Sequence, residues 1–206
     1  MNQIDIIAAQ ESAGSTLAAS SGATEDMAAA GFYEVTCVGP DGKVKWEDRV
    51  KNIVTQEGKV VALNAIIKAS SFTQTSYMGL ISATGYTTPP ANTNTAASIT
   101  TTGATNGWNE VVTSVVAARL APSWGTSTGG SGNASLATSS AVAFSVIGAL
   151  TIKGCFIVLK NLAGSGPASA TGDTTGALYS AGLFTGGDRI VTNGDTLNCS
   201  YTGSLT

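Results

Sequence analysis

Apolar and polar residues alternate with a period of two in FYEVTCVG, residues 32–39. Tyr33, Val35 and Cys37 fall on one side, and Phe32, Glu34, Thr36 and Val38 on the other. Successive side chains of a strand point to opposite faces, so the pattern predicts a half-buried β-strand. The alternation resumes in KVKWEDRV, with Val44, Trp46 and Asp48 on one side. Between them lies Pro40-Asp41-Gly42, where Pro presets a turn dihedral and Gly accepts a positive φ. Residues 32–50 therefore predict a β-hairpin. Lys and Glu on its second strand suit a sheet edge, where charge opposes stray pairing. The period then changes. Val60, Leu63, Ile66 and Ile67 recur at helical spacing, with Val61 and Ala62 broadening the stripe, which predicts a helix over about 56–69. Its start is ambiguous, because Gly58 is a poor interior helix residue.

The rest of the chain reads as strands joined by Gly-, Ser- and Thr-rich connections. YMGLISA (77–83), a segment near 109–119, LATSSAVAFSVIG, LTIKGCFIVLKN, ALYSAGLF, DRIVTNGD and TLNCSYTGSL each carry strand character. In the last, Leu197, Cys199 and Tyr201 share one face. Asn193-Gly194-Asp195 reads as a turn. Residues 84–107, with Pro89 and Pro90, form a long loop of the kind that is usually functional or poorly ordered. The apolar run 141–159 approaches the length of a membrane span, but Lys153, Thr151, Ser145 and its β-branched content predict one or two buried strands instead. Residues 1–31 are low in complexity, with one apolar anchor at Ile4, Ile6 and Ile7. Either a disordered tail or an arm that orders against a neighbour fits them. The expectation is a mainly β protein: a β-sandwich or jelly-roll-like domain at 32–206, with one helix and an extended N-terminal arm at 1–31.

Charge changes this picture. Charged residues make up only 11% of the 206 residues, against about 25% in ordinary globular proteins. Yet residues 41–59 hold five of the 10 basic and four of the 13 acidic side chains. The net charge of −3 and pI near 4.8 leave no basic footprint for nucleic acid. A surface so poor in ions is easier to accept if copies or partners cover much of it. The start of the chain lacks a basic, apolar leader, so no secretory signal is expected.

Candidate chemistry is thin. With no histidine, the Ser-His-Asp triad, the Cys-His dyad and His-ligated zinc are excluded together. Cys37, Cys155 and Cys199 are far apart and read as buried fillers in a reducing compartment. The remaining carboxylates with catalytic or calcium potential are Glu110, Asp173, Asp188 and Asp195; three follow Gly or Asn, as turn residues do. Trp46, Trp108 and Trp124, with Tyr77, Tyr86 and Tyr179, read as core or subunit-contact anchors ahead of a carbohydrate platform.

Two blocks carry a resemblance. The first is Tyr33, Glu34, Asp41, Gly42, Lys45, Trp46, Asn52, Val54 and Gly58. The second is Phe184, Gly186, Gly187, Arg189, Val191, Gly194, Asp195, Thr196, Leu197 and Tyr201. In this order and spacing they resemble small virion structural proteins of tailed bacteriophages, over roughly residues 32–206. The resemblance implies a structural, non-enzymatic protein of the virion, assembled in the host cytoplasm, with no cofactor, metal, nucleic acid or membrane partner. A capsid decoration (cement) protein is expected, dimeric or trimeric, gripping the major capsid protein. The alternative is a tail, collar or fibre component, possibly receptor-binding. The expected contact residues are Lys43, Lys45, Trp46 and Arg49 on the hairpin, and Ile4, Ile6 and Ile7 on the arm.

Overall fold

The computed structural model describes residues 28–67, 75–99, 103, 105–117, 119–130, 133–160 and 172–206. The arm residues 1–27, including Ile4, Ile6 and Ile7, lie outside the described residues. The fold is mainly β, with two antiparallel sheets and, among the described residues, one α-helix. The sheets face one another as a β-sandwich.

The first sheet contains β1 (Ala29–Val38), β2 (Val44–Lys51), β7 (Thr128–Gly130), β8 (Asn133–Ala137), β9 (Val142–Ser145) and β13 (Thr196–Leu205). Its centre is the pairing of β1 with β13 in continuous register from Ala29↔Leu205 to Val38↔Thr196. β2 lies outside β1 as the edge strand expected from its charges. The turn before it closes through Gly39 N–H donating to Lys43 C=O at 2.8 Å, with Gly42 at φ +76°. The second sheet contains β3 (Ile53–Val54), β4 (Ser76–Ser82), β5 (Asn109–Glu110), β6 (Arg119–Leu120), β10 (Leu150–Leu159), β11 (Ala177–Leu183) and β12 (Arg189–Val191).

The two sheets differ in what their outer faces meet. Tyr33, Val35, Cys37, Leu197, Cys199 and Tyr201 of the first pack against Met78, Leu80, Ile152, Cys155 and Ile157 of the second. The first sheet turns Glu34, Thr36, Arg49, Asn198 and Ser200 to the other side, which is the one-sided alternation read from the sequence. The second sheet is covered on both faces. Its outer side carries Ile81, Phe156, Val158, Leu178 and Ala181 against Ala96, Ile99 and Trp108 of the 84–108 segment. Burial on both faces explains the unbroken apolar run of β10, which resembled a membrane span. No helix among the described residues is long and apolar enough to cross a membrane.

That segment is the long loop read from the sequence, with one 3-10 turn among its described residues. Its described residues are folded onto the sheet. Trp108 is fully buried, its Nε1–H donates to Asn94 Oδ1 at 3.0 Å, and a 3-10 turn spans Ala96–Ser98. The strand expected near 109–119 is broken: β5 and β6 are two residues each, with Ser114 between them at φ +66°.

The helix α1 (Gln56–Ile67) starts where Thr55 caps it, its Oγ1 accepting from Gly58 N–H at 3.1 Å. A Cβ at Gly58 would sit 2.6 Å from the Tyr179 carbonyl oxygen, so this glycine lets the helix lie directly on β11. The helix expected over about 56–69 is present, and that contact sets its rotation. Val61 is buried, whereas Val60, Leu63 and Ile67 are 56%, 40% and 73% exposed. Three residues of the apolar stripe therefore face away from the sandwich.

Candidate functional site

The hairpin tip, the 192–195 turn and the loop after β9 meet at one end of the sandwich. Lys45 Nζ is 2.6 Å from Asp195 Oδ2, and that same oxygen accepts from Thr192 N–H at 2.8 Å. Burial alone would push the Asp195 carboxyl up; the bonds from Lys45 and Thr192 outweigh it and hold the group below its ordinary range. The same bond to Asp195 raises Lys45. The turn is also stitched to β9 by backbone bonds from Val146 N–H to Asp195 C=O and from Gly194 N–H to Val146 C=O, each 2.9 Å.

Further along β2, Asp48 points inward. It accepts from Thr185 N–H at 3.1 Å, Thr185 Oγ1–H at 2.5 Å, Gly186 N–H at 3.1 Å and Arg189 Nη2 at 2.9 Å. Burial opposes its ionisation, but these four donors prevail and bring its pKa down to about 2. Trp46 sits edge-on to Phe184 at 5.5 Å, with the Arg189 guanidinium 5.3 Å above its ring.

The hairpin residues expected to contact a partner therefore separate into two kinds. Lys45 and Trp46 are held by the fold's own groups. Lys43 is 84% exposed beside Asp41 at 3.6 Å. Arg49 is exposed, 3.8 Å from its cross-strand neighbour Glu34 and 3.8 Å above the Phe32 ring. Lys43 and Arg49 point outward, as Asp41, Glu47 and Lys51 also do. The arm isoleucines cannot be placed, since they lie outside the described residues.

The carboxylates considered for catalysis or calcium each have a structural use. Glu110 and Arg119 form a buried bidentate pair at 2.7 and 2.8 Å, both side chains fully enclosed. Asp173 accepts from the N–H and hydroxyl of Thr175, a local turn contact. Asp188 pairs with Lys153 at 2.5 Å. Among the described residues no group of three or more acidic or cysteine side chains is placed to hold a metal ion. The thiols are buried as well. Burial, reinforced by the negative charge of Asp195, pushes Cys37 up to about 11; a bond with Cys199 and burial raise Cys155.

One functional side chain escaped the sequence reading. Glu57, in the first turn of α1, accepts through Oε2 from both Ala96 N–H and Leu178 N–H, each at 2.8 Å. It ties the 84–108 segment to β11, and its only sequence signal is an acid at a helix N-terminus.

The opposite end holds an apolar cleft of about 430 Å³. Ala29, Leu136 and Leu205 of the first sheet face Ile157 and Leu159 of the second, with Trp124 and Tyr179 forming its walls and α1 closing one side through Gly58, Lys59 and Ala62. Tyr179 and Tyr201, which line it, stand edge-on at 6.2 Å, and behind them Asn52 Nδ2 donates to the Tyr201 hydroxyl at 2.9 Å.

The two resemblance blocks, about 150 residues apart, meet through these contacts. Lys45 reaches Asp195, Trp46 reaches Phe184 and Arg189, and Asn52 and Tyr33 reach Tyr201. No family model, curated protein or solved structure matches the chain.

Proposed function

We propose that this chain is a structural protein of a bacteriophage virion, a decoration (cement) protein that stabilises the head shell through its arm and through contacts between copies. The single observation that carries the reading is that the two blocks resembling small virion proteins interlock with each other across the sandwich. Several of their charged and aromatic side chains hold the fold, as Lys45 does with Asp195, Trp46 with Phe184, and Arg189 with Asp48. Among the described residues, what faces outward is a charged hairpin tip and a largely hydroxyl- and amide-bearing sandwich surface that carries Glu34, Glu47 and Arg49.

In this reading Lys43 and Arg49 give register against the major capsid protein, a role that charge fills better than it supplies raw affinity. The sandwich sides pack against copies of the chain, as dimers or trimers. The test is occupancy. Lys43→Glu combined with Arg49→Glu lowers the amount bound to particles while the unfolding midpoint stays where it was. Full occupancy by that variant contradicts the assignment of the tip.

A further inference from the structure

We infer that the apolar cleft is the docking site of the chain's own N-terminal anchor, Ile4-Asp5-Ile6-Ile7. The inference goes beyond the virion reading and does not depend on it.

A cleft of about 430 Å³ is far larger than the voids left inside packed cores and falls within the range of pockets that enclose a ligand. Its walls are carbon-rich: Ala29, Trp124, Leu136, Leu159 and Leu205. Such a surface next to water favours an apolar occupant. The arm brings one to the spot. The first described residue, Ala28, is bonded to Thr206 in both directions at 3.0 and 3.1 Å, and Ala29 lines the cleft. All of residues 1–27 therefore leave from its rim.

Within that arm the large apolar residues are densest at Ile4, Ile6 and Ile7. Residues 8–27, AAQESAGSTLAASSGATEDM, are mostly Ala, Ser, Gly and Thr, the composition of a flexible tether. A tether of that length has a root-mean-square span of about 25 Å, enough to return to its own origin. It also holds the anchor at an effective concentration near millimolar, above what a second copy reaches in dilute solution.

Charge supports the match. Among the described residues that line the cleft, Lys59 is the one that is charged, and it stands exposed on α1. The anchor's one charge is Asp5, between two isoleucines. With the isoleucines inserted, Asp5 is placed to meet Lys59 at the rim. Attachment of the arm to a neighbour then requires the anchor to leave its own cleft first.

The test uses methyl-labelled full-length protein in dilute solution. Nuclear Overhauser contacts are expected from the methyls of Ile4, Ile6 and Ile7 to those of Leu136 and Leu205, unchanged on dilution. Ile4→Asp, Ile6→Asp and Ile7→Asp together abolish them and raise the fluorescence of an apolar dye several-fold, while Leu197 in the core keeps its shift. Asp5→Lys raises dye uptake about twofold, the size expected of one exposed pair. The inference is overturned by absent contacts, by equal dye uptake in wild type and triple variant, or by contacts that appear only between differently labelled copies. A copurifying apolar small molecule in the cleft would overturn it as well. None of these results alters the number of copies on a particle, so the virion reading stands or falls separately.

Discussion

At the hairpin end of the sandwich, Lys45 reaches Asp195, and Asp48 accepts four hydrogen bonds from Thr185, Gly186 and Arg189. At the other end, Trp124, Leu136, Leu159 and Leu205 enclose a cleft whose lone charge among the described residues is Lys59. One end spends the chain's scarce charge on fixing its own geometry; the other leaves apolar surface for something to cover. This contrast accounts for Lys45 and Asp48 within the charged stretch 41–59. A hairpin at a sheet edge gains little from neighbours in its own sheet, so polar bonds to distant turns hold it down. The difference also separates two kinds of position: substitutions inside the hairpin's clamps act on folding, while substitutions at Lys43 or in the cleft are expected to leave it intact.

The largest effect is expected at Asp48. Asp48→Ala leaves the donors of Thr185, Gly186 and Arg189 without their acceptor and costs about 3 kcal/mol, measured by urea unfolding. A loss below about 1 kcal/mol breaks the claim that this end is clamped by charge.

Acid provides the next. The Asp48 pKa falls from an ordinary 3.8 to about 2 on folding, and Asp195 is lowered too. A lowered folded-state pKa gives stability that is complete above the unfolded value and vanishes as pH falls through the folded one. Stability is therefore flat above about pH 4 and declines toward pH 2, by about 2 kcal/mol for Asp48. Asp48→Asn flattens that decline, which pH-dependent unfolding will show.

Charge reversals on neighbouring lysines sharpen the division within the hairpin. Lys45→Glu places a second carboxylate beside Asp195 and lowers the melting midpoint measurably. Lys43→Glu, two residues away and exposed, changes stability by less than about 0.5 kcal/mol. Equal effects from the two would erase the distinction between clamped and outward charge.

The smallest effect belongs to the cleft. Leu136→Asp, on a residue at the cleft wall that is 36% exposed, shifts stability by less than about 0.5 kcal/mol and instead releases the arm, read as a gain in proteolysis within residues 8–27. A large loss of stability would make the cleft part of the core.

The period-two strands were legible because their cause is local. In β1 and β13 each side chain's face follows from its neighbours, and the burial of Tyr33, Val35, Cys37, Leu197, Cys199 and Tyr201 matches the alternation. The turn at Pro40-Asp41-Gly42 and the edge position of β2 were readable for the same reason. What escaped was set by partners far along the chain. The stripe on α1 has helical spacing, but Gly58 pressing on Tyr179 decides which side of the helix is buried. The 84–107 segment has loop composition, yet Glu57 and the burial of Trp108 fold it onto the second sheet. Lys45 and Lys43 look alike in sequence; only Asp195, 150 residues away, distinguishes them. The cleft was invisible, since it forms from the ends of strands in both sheets.

Copy number on the particle tests the central claim most directly, by quantitative mass spectrometry of purified virions against the major capsid protein. A head decoration protein is present in many copies at a fixed ratio to the capsid protein, and that is the predicted result. A count matching one ring of a tail or collar would move the protein off the head, and absence from the virion would contradict the account altogether.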